Sequence, residues 1–200
     1  MFRYLAAAVA ALSFVVTPAA AQDTSVAFGH FKSLCADGEG AGPRAATMAR
    51  AAGWAPVPAS AFGGPGENPF EEATALMNAE DNGDISVLLV GSMVESYEGT
   101  PLTMDFCAVM GGDFENEAPI KPDPRPFVRR WVGLEPHPVL VGDGMIGYAF
   151  TREDGEIVAV RRTAAALTQS ALNGNLHVVM VNEESAEEPL SMMMYMRPSF

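Results

Sequence analysis

The sequence predicts an α+β domain: an antiparallel sheet of about six strands in sequential hairpins, with helices packed on one face. Three observations point there. Before residue 80 apolar side chains recur mainly at helical spacing. From Ile85 onward short apolar or alternating runs are separated by turn residues. The order of helical and extended segments lacks the regular alternation of a doubly wound parallel sheet.

The first helix is expected over 25–36. Phe28, Phe31, Leu34 and Cys35 fall on one face, which puts Cys35 on the buried side. The run of Gly38, Gly40 and Gly42 ends it. A second helix spans Pro43 to Ala52, with proline in its first turn and Gly53 just past its end. Trp54 should then pack back on the last turn, against Met48 and Ala49. Residues 55–69 form a Pro/Gly/Ala loop suited to a surface flap. Glu71 and Glu72 suit the first turn of a short helix over Phe70 to Ala79.

Strands follow over Ile85 to Val94 and Leu102 to Met110, joined by a turn over 96–101. In the second, Leu102, Met104, Phe106, Ala108 and Met110 alternate onto one face, and Asp105, Cys107 and Val109 onto the other. A helix covering the latter face would let a disulfide pin helix to sheet. Residues 111–121 read as an acidic loop. Asp123 caps a helix with Phe127, Val128, Trp131 and Val132 on its apolar face, ended by Gly133. His137 lies in a loop between Pro136 and Pro138. Met145 to Phe150 and Ile157 to Arg162 make a hairpin around Asp154 and Gly155. Residues 163–173 suit a helix or a wide loop. Leu176 to Asn182 and Leu190 to Arg197 make the last hairpin.

Residues 1–21 read as a removable signal. Arg3 supplies the positive end, Leu5 to Val16 the apolar stretch, and Ala19 to Ala21 the small-residue site cleaved before Gln22. The stretch is short of the roughly 20 apolar residues that span a bilayer. The mature chain, 22–200, is then a single exported domain of 179 residues, periplasmic or secreted, with no membrane insertion. Cys35 and Cys107 are the only cysteines. An even count in an oxidising compartment suits a disulfide between them, and closing that loop stabilises by roughly 4 kcal/mol in the chain-entropy model.

The formal net charge of −13 comes from 12 basic against 25 acidic side chains. With no basic stripe to meet a phosphate backbone, nucleic-acid binding is excluded. The charge divides unevenly: residues 22–120 carry 3 basic and 15 acidic side chains, residues 121–200 carry 8 and 10. Arg125, Arg129 and Arg130 lie on and around one helix, a candidate anion patch, and Arg152, Arg161 and Arg162 on the next hairpin; these arginines form an anion or carboxylate site, face the acidic half within the fold, or are solvated.

Other chemistry is sparse. Residues 78, 80 and 82 with Gly83 faintly follow a calcium loop, but the twelfth position, where a bidentate Glu belongs, is Leu89, so an acidic turn is expected. His30, His137 and His177 lack metal spacing. His137 is the one to mutate should activity appear. No G-x-S-x-G, S-x-x-K or phosphate-loop pattern occurs. Met192, Met194 and Met196 would share one face of a strand; thioethers select Cu(I), while Leu190 on the same face points to core packing.

With a helix ending in Cys (Phe31, Leu34, Cys35), Gly53–Trp54 after an Ala-rich helix, and a second Cys in a central strand (Phe106, Cys107, Val109), the chain resembles a group of small secreted bacterial proteins with two cysteines. The resemblance implies a disulfide-linked exported domain and carries no catalytic residue with it. Three functional expectations follow. The first is a binding or accessory protein for a protein or small-molecule partner, with no cofactor. The second is a cell-envelope hydrolase using acidic residues. The third is Cu(I) binding by the C-terminal methionines.

Overall fold

The structure, a computed structural model, describes residues 25–57, 73–81, 83–97, 99–113, 118–119, 122–142, 144–182 and 190–199. The expected signal, its cleavage site at Ala21 and Gln22, and the proposed flap beyond Val57 lie outside them.

The fold is mixed helix and antiparallel sheet. Among the described residues, ten strands join one sheet rather than about six. They are β1 (Ala55–Pro56), β2 (Thr74–Ala79), β3 (Ile85–Tyr97), β4 (Thr100–Asp113), β5 (Ala118–Pro119), β6 (Val141–Gly142), β7 (Met145–Glu153), β8 (Glu156–Ala159), β9 (His177–Asn182) and β10 (Ser191–Pro198). The order is β1-β2-β3-β4-β10-β9-β7-β6, with β5 on β4 and β8 on β7. The last hairpin is therefore built into the centre: β10 pairs with β4 and β9 with β7.

The six expected strands all form; the surplus comes from short ribbons and from β2. A helix was expected over 70–79, and Thr74–Ala79 is instead a strand paired along its whole length with β3. Its alternation explains the correction. Leu76 joins the core on one face of the sheet and Ala75 the core on the other. A helix would have turned only one stripe inward.

The N-terminal segment begins as α1 (Val26–His30), capped by the Ser25 side chain, and widens into a π-helical turn over Phe31–Ala36. The Asp37 N–H donates to the Lys32 carbonyl and the Gly40 N–H to that of Cys35, both five residues back. The wider turn buries Phe31, Leu34, Cys35 and Ala36 together. After α2 (Gly42–Ala51), Trp54 is buried, as expected, and its backbone N–H donates to the Ala49 carbonyl; its ring lies 5.0 Å from His30 at a near-right angle, while Met48, an expected packing partner, is exposed. Next, α3 (Arg125–Val132) is ended by Gly133 at φ 67°. Phe28 and Phe31 of the N-terminal helices pack against Phe127 and Trp131 of α3.

These helices cover one face of the sheet. The other face is not bare: α4 (Ala164–Leu172), capped by Thr163, buries Leu167 and Ala171 there. Helices thus lie on both faces, not one. The face under α1 to α3 is rich in aromatic rings, with Tyr148, Phe150 and Tyr195 among its buried residues. The face under α4 collects methionines, including Met104, Met194 and Met196.

Candidate functional site

Cys35 and Cys107 form the disulfide, their Cα atoms 5.3 Å apart and both side chains fully buried. The bond joins the π-helical turn to the central strand β4. Directly across β4 from Cys107 stands Tyr195 of β10. Around Tyr195 the structure assembles a polar centre that residue spacing did not reveal.

Tyr195 is fully buried, and its hydroxyl lies 2.8 Å from His177 Nδ1. The His177 ring stacks on Phe150, its cross-strand neighbour, at 5.4 Å and 16°. Phe150 presents its ring at a steep angle to Tyr195. Two residues along β7 on the same face, Arg152 sets its guanidinium 5.9 Å from the Phe150 ring centre. Arg152 Nε is 3.4 Å from Glu39 Oε1. Glu39 has φ 52°, a left-handed conformation that costs a non-glycine residue about 1 kcal/mol or more. Gly40 follows at φ 74° and lies against the Tyr195 ring.

Burial pushes the Tyr195 hydroxyl up to about 12, opposed by the nearby Arg152 cation. Burial also lowers His177 from its ordinary 6.5, with Glu39 acting in the opposite direction. Burial thus favours the protonated tyrosine and the neutral imidazole, and the two share one hydrogen bond.

The arginine patch is only partly gathered. Arg125 and Arg129 line one groove of about 390 Å³ with Asp123, Glu135 and Tyr148. Arg130 turns to the Phe127 ring, 5.7 Å away, and lines a neighbouring depression with Arg129. Arg125 Nε is paired with Asp123 at 2.8 Å, and Arg129 faces Glu135 at 3.8 Å. Asp123 and Glu135 belong to the arginines' own half of the chain, whereas Arg152 meets Glu39 of the acidic half, as one of the expected alternatives had it. Burial raises the Tyr148 hydroxyl, with Arg129 opposing.

A second groove of about 530 Å³ runs beside α2, lined by Arg50, Thr74, Ser92 and Asp105. The Ser92 hydroxyl donates to Asp105 Oδ1 at 2.7 Å.

The other histidines hold the fold. His137 is buried; its Nδ1 accepts from the Val139 N–H, and its Nε2 donates to the Arg161 carbonyl at 3.1 Å. Both ring nitrogens are therefore engaged. His30 Nε2 meets Glu80 Oε1 at 2.9 Å, and Asn78 donates to the same oxygen. The calcium-like segment is thus the turn between β2 and β3. Its Glu80 carboxylate is committed to His30, and its backbone closes through Gly83. Among the described residues, no cluster of three His, Cys, Asp or Glu is placed to hold a metal.

Met192, Met194 and Met196 share one face of β10, as the spacing required; Met194 and Met196 are buried and Met192 half-buried. Compared with known proteins, the chain matches no family model, no curated protein and no solved structure.

Proposed function

We propose that the protein is an exported, disulfide-braced binding or accessory domain, periplasmic or secreted, which holds a partner or small ligand and does no chemistry on it. The disulfide and the signal-like N-terminus support export. The observation that carries the binding role is the placing of the Arg152 guanidinium, 3.4 Å from Glu39, beside the Tyr195–His177 pair on one face of the sheet. The guanidinium suits an acceptor group, above all a carboxylate, and Glu39 marks the place such a group would take.

The test uses the mature chain. In histidine-ring NMR, dicarboxylates or acidic peptides should shift the His177 signals. Arg152→Ala should remove the response. A panel of ester, phosphoester, glycoside and peptide substrates should give no turnover. Turnover that disappears in His177→Ala would replace this reading with the hydrolase one.

A further inference from the structure

We propose that Met110, Met192 and Met194 form a three-thioether site for a soft monovalent cation, Cu(I), on the sheet face shared with α4. The register places them together. Met192 of β10 stands directly opposite Met110 of β4, which brings their Cβ atoms to about 5 Å. Met194 lies two residues along β10 on the same face, diagonal to Met110 at roughly 7–8 Å. The flexible thioether arms close such gaps. Ala108 stands opposite Met194, and a single methyl there leaves the place between the sulfurs unfilled by its own side chain.

Met196, which the sequence groups with these residues, is not included. It faces Phe106 on one side and Val178 on the other, neither of which ligates a metal. Met180 faces Met194 from β9, but its sulfur leans the other way, over Gly147 of β7.

The site is supported from behind. The Met192 N–H donates to Asn182 Oδ1 at 2.7 Å, and Asn182 Nδ2 donates to the Leu190 carbonyl at 2.6 Å. The buried Asn182 thereby fixes the start of β10 and the position of Met192. Met110 and Met192 are half-buried, so a cation reaches them from solvent, and Met194 forms the floor. The ligand chemistry selects the ion. Neutral thioethers favour Cu(I) over Zn(II) or Ca(II), which need thiolate, imidazole or oxygen donors. Eight methionines belong to or border this core, against one in the aromatic core of the opposite face.

The experiment measures Cu(I) uptake by the mature, disulfide-bonded chain under ascorbate, in competition with a chromogenic Cu(I) chelator, with Ag(I) as a redox-inert check. One ion should bind per chain, and X-ray absorption should show sulfur as the only ligand atom. Losing even an outer partner weakens metal sites roughly 10–100-fold. Met110→Leu with Met192→Leu should cost at least that, while Met93→Leu and Met48→Leu should change nothing. Met-to-Leu exchanges conserve volume and leave most cores intact. Should the double variant fail to fold, Met192→Leu alone carries the test, because its side chain is half-buried. No uptake by the wild-type chain, or uptake unchanged in a folded Met192→Leu variant, overturns the proposal.

Discussion

Tyr195 ties its own titration to the stability of the whole chain. Its hydroxyl ionises near 10.0 when unfolded and at about 12 when folded. Between those values the unfolded chain has already released the proton that the folded chain still holds. The stabilisation is therefore complete below pH 10 and is lost as the pH climbs through 12, by roughly 2–3 kcal/mol. Urea midpoints measured from pH 9 to 12 should fall accordingly, and Tyr195→Phe should flatten the fall. His177 acts at the other end. Its folded value lies below 6.5, so its contribution is present above that pH and is lost as the pH drops through the folded value. Gly40 is the companion test. It combines φ 74° with an approach that would put a Cβ 2.9 Å from the Tyr195 ring. Gly40→Ala should destabilise by roughly 2–4 kcal/mol in urea denaturation, from left-handed strain plus the clash.

At the scale of elements, the disulfide is the joint between two layers. Replacing Cys35 and Cys107 together by Ala should cost about 2–5 kcal/mol, read as a lower denaturation midpoint. Much of this level is legible in the sequence. Alternation along β4 separates Cys107 and Val109 from Phe106 and Ala108, and the two sets do enter opposite cores. Pro and Gly punctuation marks α2 and α3 within a residue or two. The departures have physical causes. Short β2 resembles a helix locally because Ala, Leu and Met all favour helices; pairing with β3 decides its state. The π-helical turn is a product of packing Phe31, Leu34 and Cys35 at once, not of their spacing. The polar centre was hidden because Glu39, Arg152, His177 and Tyr195 come from four separate segments. Only the placement of β9 and β10 in mid-sheet brings them to one place. The one local clue was the glycine-flanked Glu39.

For the whole molecule, the sheet divides two kinds of interior. One face is aromatic, braced by the disulfide and holding the Tyr195–His177 pair. The other is thioether-rich, under a single helix. Among the described residues no helix is long and apolar enough to cross a membrane. The acidic balance of the chain repels anionic polymers and draws cations, in keeping with the methionine site. The proposed binding role depends above all on export with the disulfide formed. The direct measurement is the intact mass of the chain recovered from the exported fraction of its producing cell, with alkylation before and after reduction. An exported, disulfide-bonded chain should begin at Gln22, be two hydrogens lighter than the dithiol, and take up two alkyl groups only after reduction. A full-length chain beginning at Met1, with both thiols alkylated before reduction, would contradict it.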